Sequence, residues 1–352
     1  MMGYPLTVNS VLAVLLLLAA SCNMPGGGDR SATQEGGGEL DSLSAGLFDL
    51  EQRIVADPSD PALFAERARF YLRFDSTDQA INDLRRALAL DSTNARYQLA
   101  LGEAYYLSLQ VAQALPRFER AIELDPGLTE AHLKMAEIQL VLRQYQLAMD
   151  AVNEALRTDP NLAKGYYLKG WIYKETGDTT RAISSIRTAV EQDPSFYDAF
   201  IQLGLLHAAI DDDLALQYYN TALELRPRSV EALYNKGMFA QEHGQDSLAL
   251  ACYDRIREID PRNATAWYNA GWVRLEHLND LEQAHADFDK AYRLLPGYHQ
   301  AVFNRGVANE RLGRLDSAAA DYREALDLKP DFELAALGLQ RLSDQGVPVG
   351  AP

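Results

Sequence analysis

The chain has 352 residues, 47% of them hydrophobic and 24% charged, and a net charge of −17. That acidity excludes nucleic-acid binding, which needs basic surface, and a polybasic patch on anionic lipid. The apolar content is ample for a packed core, and two cysteines, Cys22 and Cys252, are too few for a disulfide framework.

Residues 11–20, V-L-A-V-L-L-L-L-A-A, carry no charge and lead into Ser21-Cys22. A transmembrane helix needs roughly 20 apolar residues, so this run has the length of a signal-peptide core. The small residues Ala19-Ala20-Ser21 before Cys22 resemble the lipobox of bacterial lipoproteins. There are two departures: Ala19 stands where leucine is usual, and no Lys or Arg precedes Arg30. The resemblance implies a signal peptide over 1–21, cleavage before Cys22, and acylation of the Cys22 thiol and its new amino group. Two or more acyl chains anchor stably where one does not. The alternative is a plain secretory signal, or an uncleaved anchor whose cysteine is incidental. Residues 22–38 hold Gly26-Gly27-Gly28 and Gly36-Gly37-Gly38, which read as a flexible tether with a span of about 20–25 Å.

Residues 39–57 read as a single helix that ends at Asp57-Pro58. From there a proline position returns about every 34 residues: Pro58, then Ser92 in its place, then Pro126, Pro160, Pro194, Pro227, Pro261, Pro296 and Pro330. Each proline closes a run such as Ala121-Ile122-Glu123-Leu124-Asp125, because proline cannot continue a helix and biases its predecessor away from the α region. Upstream of each break lie two apolar-periodic stretches separated by a short turn. Gly177, Gly244 and Gly313 mark three of these turns, where glycine supplies positive φ. A fixed period of this length, built of helix–turn–helix units, predicts an all-α stacked array.

Small residues recur where helices must cross closely. The first helices carry Ala68, Gly102, Ala136, Gly170, Gly204, Gly237, Gly271 and Gly306. The second helices carry Ala80, Ala114, Ala148, Ala182, Ala215, Ala249, Ala284 and Ala318, with Phe118, Tyr219, Tyr253, Phe288 and Tyr322 among the large partners. This pattern of large, small, aromatic, alanine and proline resembles the tetratricopeptide repeat. The resemblance implies a right-handed superhelical solenoid of eight units over 61–332: 61–94, 95–128, 129–162, 163–196, 197–229, 230–263, 264–298 and 299–332. Repeat five is one residue short at Asp211-Asp212-Asp213, and repeat seven one long across residues 277–280. Both changes are expected in the inter-helix turn. Pro116 lies inside a second helix. The array needs covers at both ends, supplied by the helix over 39–57 and one over 333–345, with Phe332, Leu334, Leu337 and Leu339 as the latter's apolar residues. Residues 346–352 are expected to be disordered.

In such arrays the first helices line the inner groove. The register places Tyr167 and Trp171, Ile201 and Leu205, Tyr234 and Met238, Tyr268 and Trp272, and Phe303 and Val307 there, four residues apart on one helix face. Asn235, Asn269 and Asn304 occupy one equivalent position in three consecutive repeats, and asparagine both donates to and accepts from an extended backbone. The row resembles the asparagine ladder in the repeat domain of O-linked N-acetylglucosamine transferases. Two readings stay open: a peptide groove, or repeat consensus in which these side chains cover neighbouring helices. Further upstream, Ala65 and Arg69, Leu99 and Glu103, and Leu133 and Glu137 make a mixed, partly acidic face that does not match a clamp for an acidic C-terminus.

No catalytic constellation is present. The six histidines are scattered, no Cys/His set has zinc spacing, and there is no phosphate-binding glycine loop or nucleophile elbow. Cys252 reads as a small packing residue, and Asn263-Ala264-Thr265 as a chance glycosylation match. No metal and no cofactor is implied. The expectation is a non-catalytic scaffold, lipid-anchored in the bacterial envelope at the outer membrane and facing the periplasm. It would bind a protein or extended peptide in its groove for assembly, secretion or turnover of envelope components. A self-associating structural lipoprotein, dimeric through convex or terminal surfaces, is the alternative, and an enzyme on a repeat fold a remote one. The likeness to repeat lipoproteins of outer-membrane assembly, pilus biogenesis and peptidase recruitment is one of architecture.

Overall fold

The structure is a computed structural model that describes residues 36–349, with side chains from residue 46. Residues 1–35, which include Cys22 and most of the expected tether, lie outside the described residues, as do 350–352. The described residues form eighteen α-helices and one five-residue π-helical segment, with no strand. They fall into two compact units that divide between Ala199 and Phe200, inside the helix Tyr197–Ala209.

Unit one opens with the helix Gly36–Ala56. Repeats one to four follow as the pairs Pro61–Arg73 and Thr77–Leu90, Ala95–Leu107 and Val111–Leu124, Thr129–Val141 and Tyr145–Thr158, and Ala163–Glu175 and Thr179–Gln192. In unit two, Leu214–Leu225 is the second helix of repeat five. Repeats six to eight are Val230–Glu242 with Asp246–Ile259, Ala264–Val273 with Leu281–Leu294, and His299–Arg311 with Leu315–Leu328, before a closing helix Glu333–Asp344. Within each unit a second helix packs on the first helix of its own repeat and on that of the next.

Short-range chemistry sets the breaks. Where an aspartate precedes the proline, it turns back on the chain: Asp159 Oδ1 accepts from the Asn161 backbone N–H at 3.0 Å, Asp193 from Ser195 at 2.9 Å and Asp260 from Arg262 at 3.0 Å. The next helix is then capped, for example by Asn94, Ser229 and Asn263, each accepting from a first-turn N–H. Such caps satisfy donors that the helix cannot. Asn263, the residue of the sequon-like triplet, has its side-chain oxygen engaged in this way.

Packing follows the small-against-large pairing. The side chains of Phe118, Tyr219, Tyr253, Phe288 and Tyr322 are at most 1% exposed. A Cβ placed on Gly102 would sit 2.6 Å from the Phe118 ring; on Gly271, 2.9 Å from Phe288; on Gly306, 2.8 Å from Tyr322. Cys252 is buried and reduced.

Four expectations are corrected. Gly36–Gly38, assigned to the tether, already lie in the first helix; glycine costs a helix about 1 kcal/mol per residue but does not forbid it. The extra residue of repeat seven is absorbed before the turn, as the π-helical segment Arg274–Leu278, whose close is a hydrogen bond from the Asn279 N–H to the Arg274 carbonyl. A widened helical turn accommodates one residue without displacing the helix that follows. The closing helix buries Ala335, Gly338 and Leu342, while Leu334 and Leu337 are 55% and 61% exposed. The face is chosen by the Tyr322 ring, which a Cβ on Gly338 would approach to 2.7 Å. Finally, the tail does not leave the fold at residue 346. Gly346 adopts φ +84°, the Val347 N–H donates to the Leu342 carbonyl, and Val347 and Val349 pack on the last core cluster. That is a glycine-terminated helix end with its apolar contact.

Candidate functional site

The first-helix face of unit one is ionic as well as aromatic. The Glu137 side chain is fully buried and meets Lys164 Nζ at 2.6 Å and Lys134 Nζ at 3.5 Å; Lys134 also lies 3.5 Å from Glu103. These four residues tie repeats two, three and four together. Burial raises the Glu103 carboxyl above its usual range, and Lys134 opposes that rise. Tyr167 and Trp171 are both buried here, edge to face, with Tyr167 also 4.8 Å from the Phe196 ring. The Lys174 ammonium lies 4.0 Å over the Trp171 ring, and burial lowers its pKa. Sequence reading found the glutamates and missed Lys134 and Lys164, whose equivalents one repeat away are Leu168 and Glu130, so the period carries no signal for them.

In unit two the row of first-helix residues is present, and most of it is half-buried: Tyr234, Asn235, Met238, Tyr268, Trp272, Phe303, Asn304 and Val307. Ile201 and Asn269 are buried, and Leu205 is exposed. The aromatics rest on the fold. Tyr268 packs 5.6 Å from Phe288 and 4.8 Å from Tyr298; Phe303 packs 5.5 Å from Tyr322 and 5.2 Å from Phe332; Trp272 meets His277 edge-on at 5.0 Å.

The asparagines do not form a uniform ladder. Asn304 Nδ2 donates to the Tyr268 hydroxyl at 3.0 Å, bridging repeats eight and seven. Asn269 Nδ2 points at Met238 Sδ, 3.5 Å away, bridging seven and six. Asn235 makes no side-chain hydrogen bond among the described residues. Two of the three amides therefore bridge neighbouring repeats, and the Asn235 amide makes no such bridge. Tyr268, bonded through Asn304, is buried enough for its hydroxyl pKa to rise.

A separate polar recess in unit two is lined by His285, Asp289, Arg305, Asn309, Arg314 and Asp321. Its charges are paired internally. Arg305 reaches Asp321 at 2.6 Å and both Asp289 and Glu324 at 3.0 Å, and Arg314 reaches Glu282 at 2.5 Å. Nearby, Asp287 is wholly buried between Arg274 and Arg257. These networks join consecutive repeats on the second-helix side. No group of three His, Cys, Asp or Glu side chains among the described residues is arranged to hold a metal ion, and no described helix is long and apolar enough to cross a membrane.

Four family models match the chain, all described as tetratricopeptide or TPR repeats. One covers residues 211–264, 240–299 and 275–331; the others cover 76–108, 109–172 and 163–196. No curated protein matches. Among solved structures, the chain is similar to a tetratricopeptide repeat protein from Parabacteroides merdae, with 17% identity, 71% of this chain and 98% of that one covered, and a TM-score of 0.48. It is also similar to the C-terminal part of a TPR repeat-containing protein from Cytophaga hutchinsonii, with 17% identity, 66% and 95% covered, and a TM-score of 0.49. A third is YrrB, described as a TPR protein with an unusual peptide-binding site, with 21% identity, 63% and 97% covered, and a TM-score of 0.39.

Proposed function

The chain belongs to the tetratricopeptide-repeat family, and from that premise we propose that it is a non-catalytic scaffold that binds a partner protein along the first helices of unit two. The observation that carries this reading is the half-buried face of Tyr234, Met238, Trp272 and Phe303, with the Asn235 amide beside it. Large aromatic area fixed by packing is what an interface anchor requires. The two bonded asparagines support the reading indirectly, by fixing Tyr268 and Met238 where an extended segment would lie.

The location is part of the same proposal. Ala19-Ala20-Ser21-Cys22 and the glycines after it favour a mature protein that begins at an acylated Cys22, in the bacterial envelope at the outer membrane. Intact mass of the mature chain should show acyl groups on Cys22, and an unmodified Cys22 in membrane-extracted protein would refute the anchor. For the groove, Tyr234→Ala with Asn235→Ala should weaken capture of the wild-type partner set from native membranes by at least about tenfold, since central anchors are worth 1–2 kcal/mol or more. Helicity and melting should stay near wild type. Full retention of the partners by the folded double variant would reject this face as the site.

A further inference from the structure

His243 sits at the C-terminal end of the first helix of repeat six, and both of its ring nitrogens face oxygen acceptors. Nδ1 lies 2.7 Å from the Phe239 carbonyl oxygen, in its own helix. Nε2 lies 2.7 Å from Asp211 Oδ1, in the inter-helix turn of repeat five. A carbonyl oxygen and a carboxylate oxygen accept and cannot donate. A neutral imidazole has one N–H and one lone pair, so it would turn a lone pair on one of these two oxygens; only the imidazolium donates to both. The ring is stacked 3.9 Å from the Phe239 ring, which fixes its plane.

We propose that His243 is a protonation-dependent latch between repeats five and six: charged, it bridges the Phe239 carbonyl to Asp211, and on losing its proton it must release one of them. The groups acting on it are few. The Phe239 carbonyl comes first, then Asp211, with Asp213 of the same turn adding a second negative charge, and together they hold the imidazole above its ordinary value of 6.5. The sign follows from linkage. A histidine whose folded pKa is raised contributes stability that is fully present below the unfolded value and is lost as pH rises through the folded one. The latch is therefore closed in mild acid and opens as pH rises through the raised folded value.

The same edge continues toward the C-terminus. His277 Nδ1 faces Asp246 between repeats six and seven. Arg311 binds the Leu275 carbonyl at 2.8 Å and Glu276 at 2.6 Å between seven and eight, and Arg341 binds Glu310 at 2.7 Å beyond them. Guanidinium pairs stay charged throughout the physiological range. Proton release from His243 thus loosens one junction of the unit, next to the helix that carries Tyr234 and Met238, and leaves the arginine-stitched end closed.

The test is nitrogen-detected NMR titration of the histidines in the full chain, with His243→Gln to assign the signal. His243 should titrate above the ordinary value of 6.5, with both nitrogens protonated at the acid end. Asp211→Asn should lower that midpoint while the fold is kept, since asparagine accepts the left-handed backbone at this turn. Amides around the turns of repeats five and six should exchange at least about twofold more slowly at about pH 5.5 than at about pH 8, after correction for intrinsic rates, and Asp211→Asn should erase the difference. Titration of His243 at or below the ordinary value, or a midpoint unmoved by Asp211→Asn, would overturn the latch.

Discussion

Gly237 lies where the first helix of repeat six crosses the second. A Cβ there would stand 2.9 Å from the Tyr253 ring and 3.1 Å from the Cys252 Cβ. The ring cannot swing aside cheaply, because the Tyr253 hydroxyl donates to Gln241 Oε1 at 2.9 Å. Gly237→Leu should therefore overpack the crossing and destabilise the chain by about 1–3 kcal/mol, read as a lowered thermal midpoint. An unchanged midpoint would show that the crossing is not tight. This much was legible in the sequence, since glycine or alanine recurs at one position and a large side chain at its partner. The roles of Asn269 and Asn304 were less legible. An asparagine row has the same spelling whether it faces a ligand or the next repeat, and the choice depends on whether an acceptor such as the Tyr268 hydroxyl comes within reach. The latch at His243 lay further still from view, because Asp211 is 32 residues away and approaches only through repeat stacking.

At the level of elements, the inter-helix turns share one backbone solution. Each of the eight has a single left-handed residue: Gly177, Gly244 and Gly313 with glycine, but Asp75, Leu109, Arg143, Asp211 and Asn279 without it. Sequence reading located the glycine turns by their chemistry. Of the other five, Asp75, Asp211 and Asn279 are types that tolerate this conformation, whereas Leu109 and Arg143 follow only from the period, since leucine and arginine in that conformation cost roughly 1–2 kcal/mol and carry no turn signal of their own. Stacking must supply what the local preference withholds. The π-helical segment of repeat seven is a similar case. Counting residues reveals one extra, but whether the helix or the turn absorbs it depends on which carbonyl the Asn279 N–H reaches. The closing helix taught the same lesson, for periodicity names its apolar residues and the Tyr322 ring decides which of them turn inward.

For the whole molecule, two compact repeat units place charge and aromatic surface differently. Unit one buries Glu137 between two lysines, and its aromatics Tyr167 and Trp171 are closed in. Unit two leaves its first-helix aromatics half-covered. Breaking a buried ion pair by removing one partner is costly, so the face of unit one suits a rigid support and that of unit two suits contact with a partner. The repeat architecture was readable because a 34-residue period is a property of the chain alone, whereas the occupancy of a face depends on what else meets it. The most direct measurement places a photo-cross-linking amino acid at the position of Met238, on the first-helix face of repeat six, or at that of the exposed Glu258, on its second helix. Irradiation of intact cells should give a discrete partner adduct from position 238 and none from position 258. An adduct confined to position 258, with position 238 silent, would contradict the account.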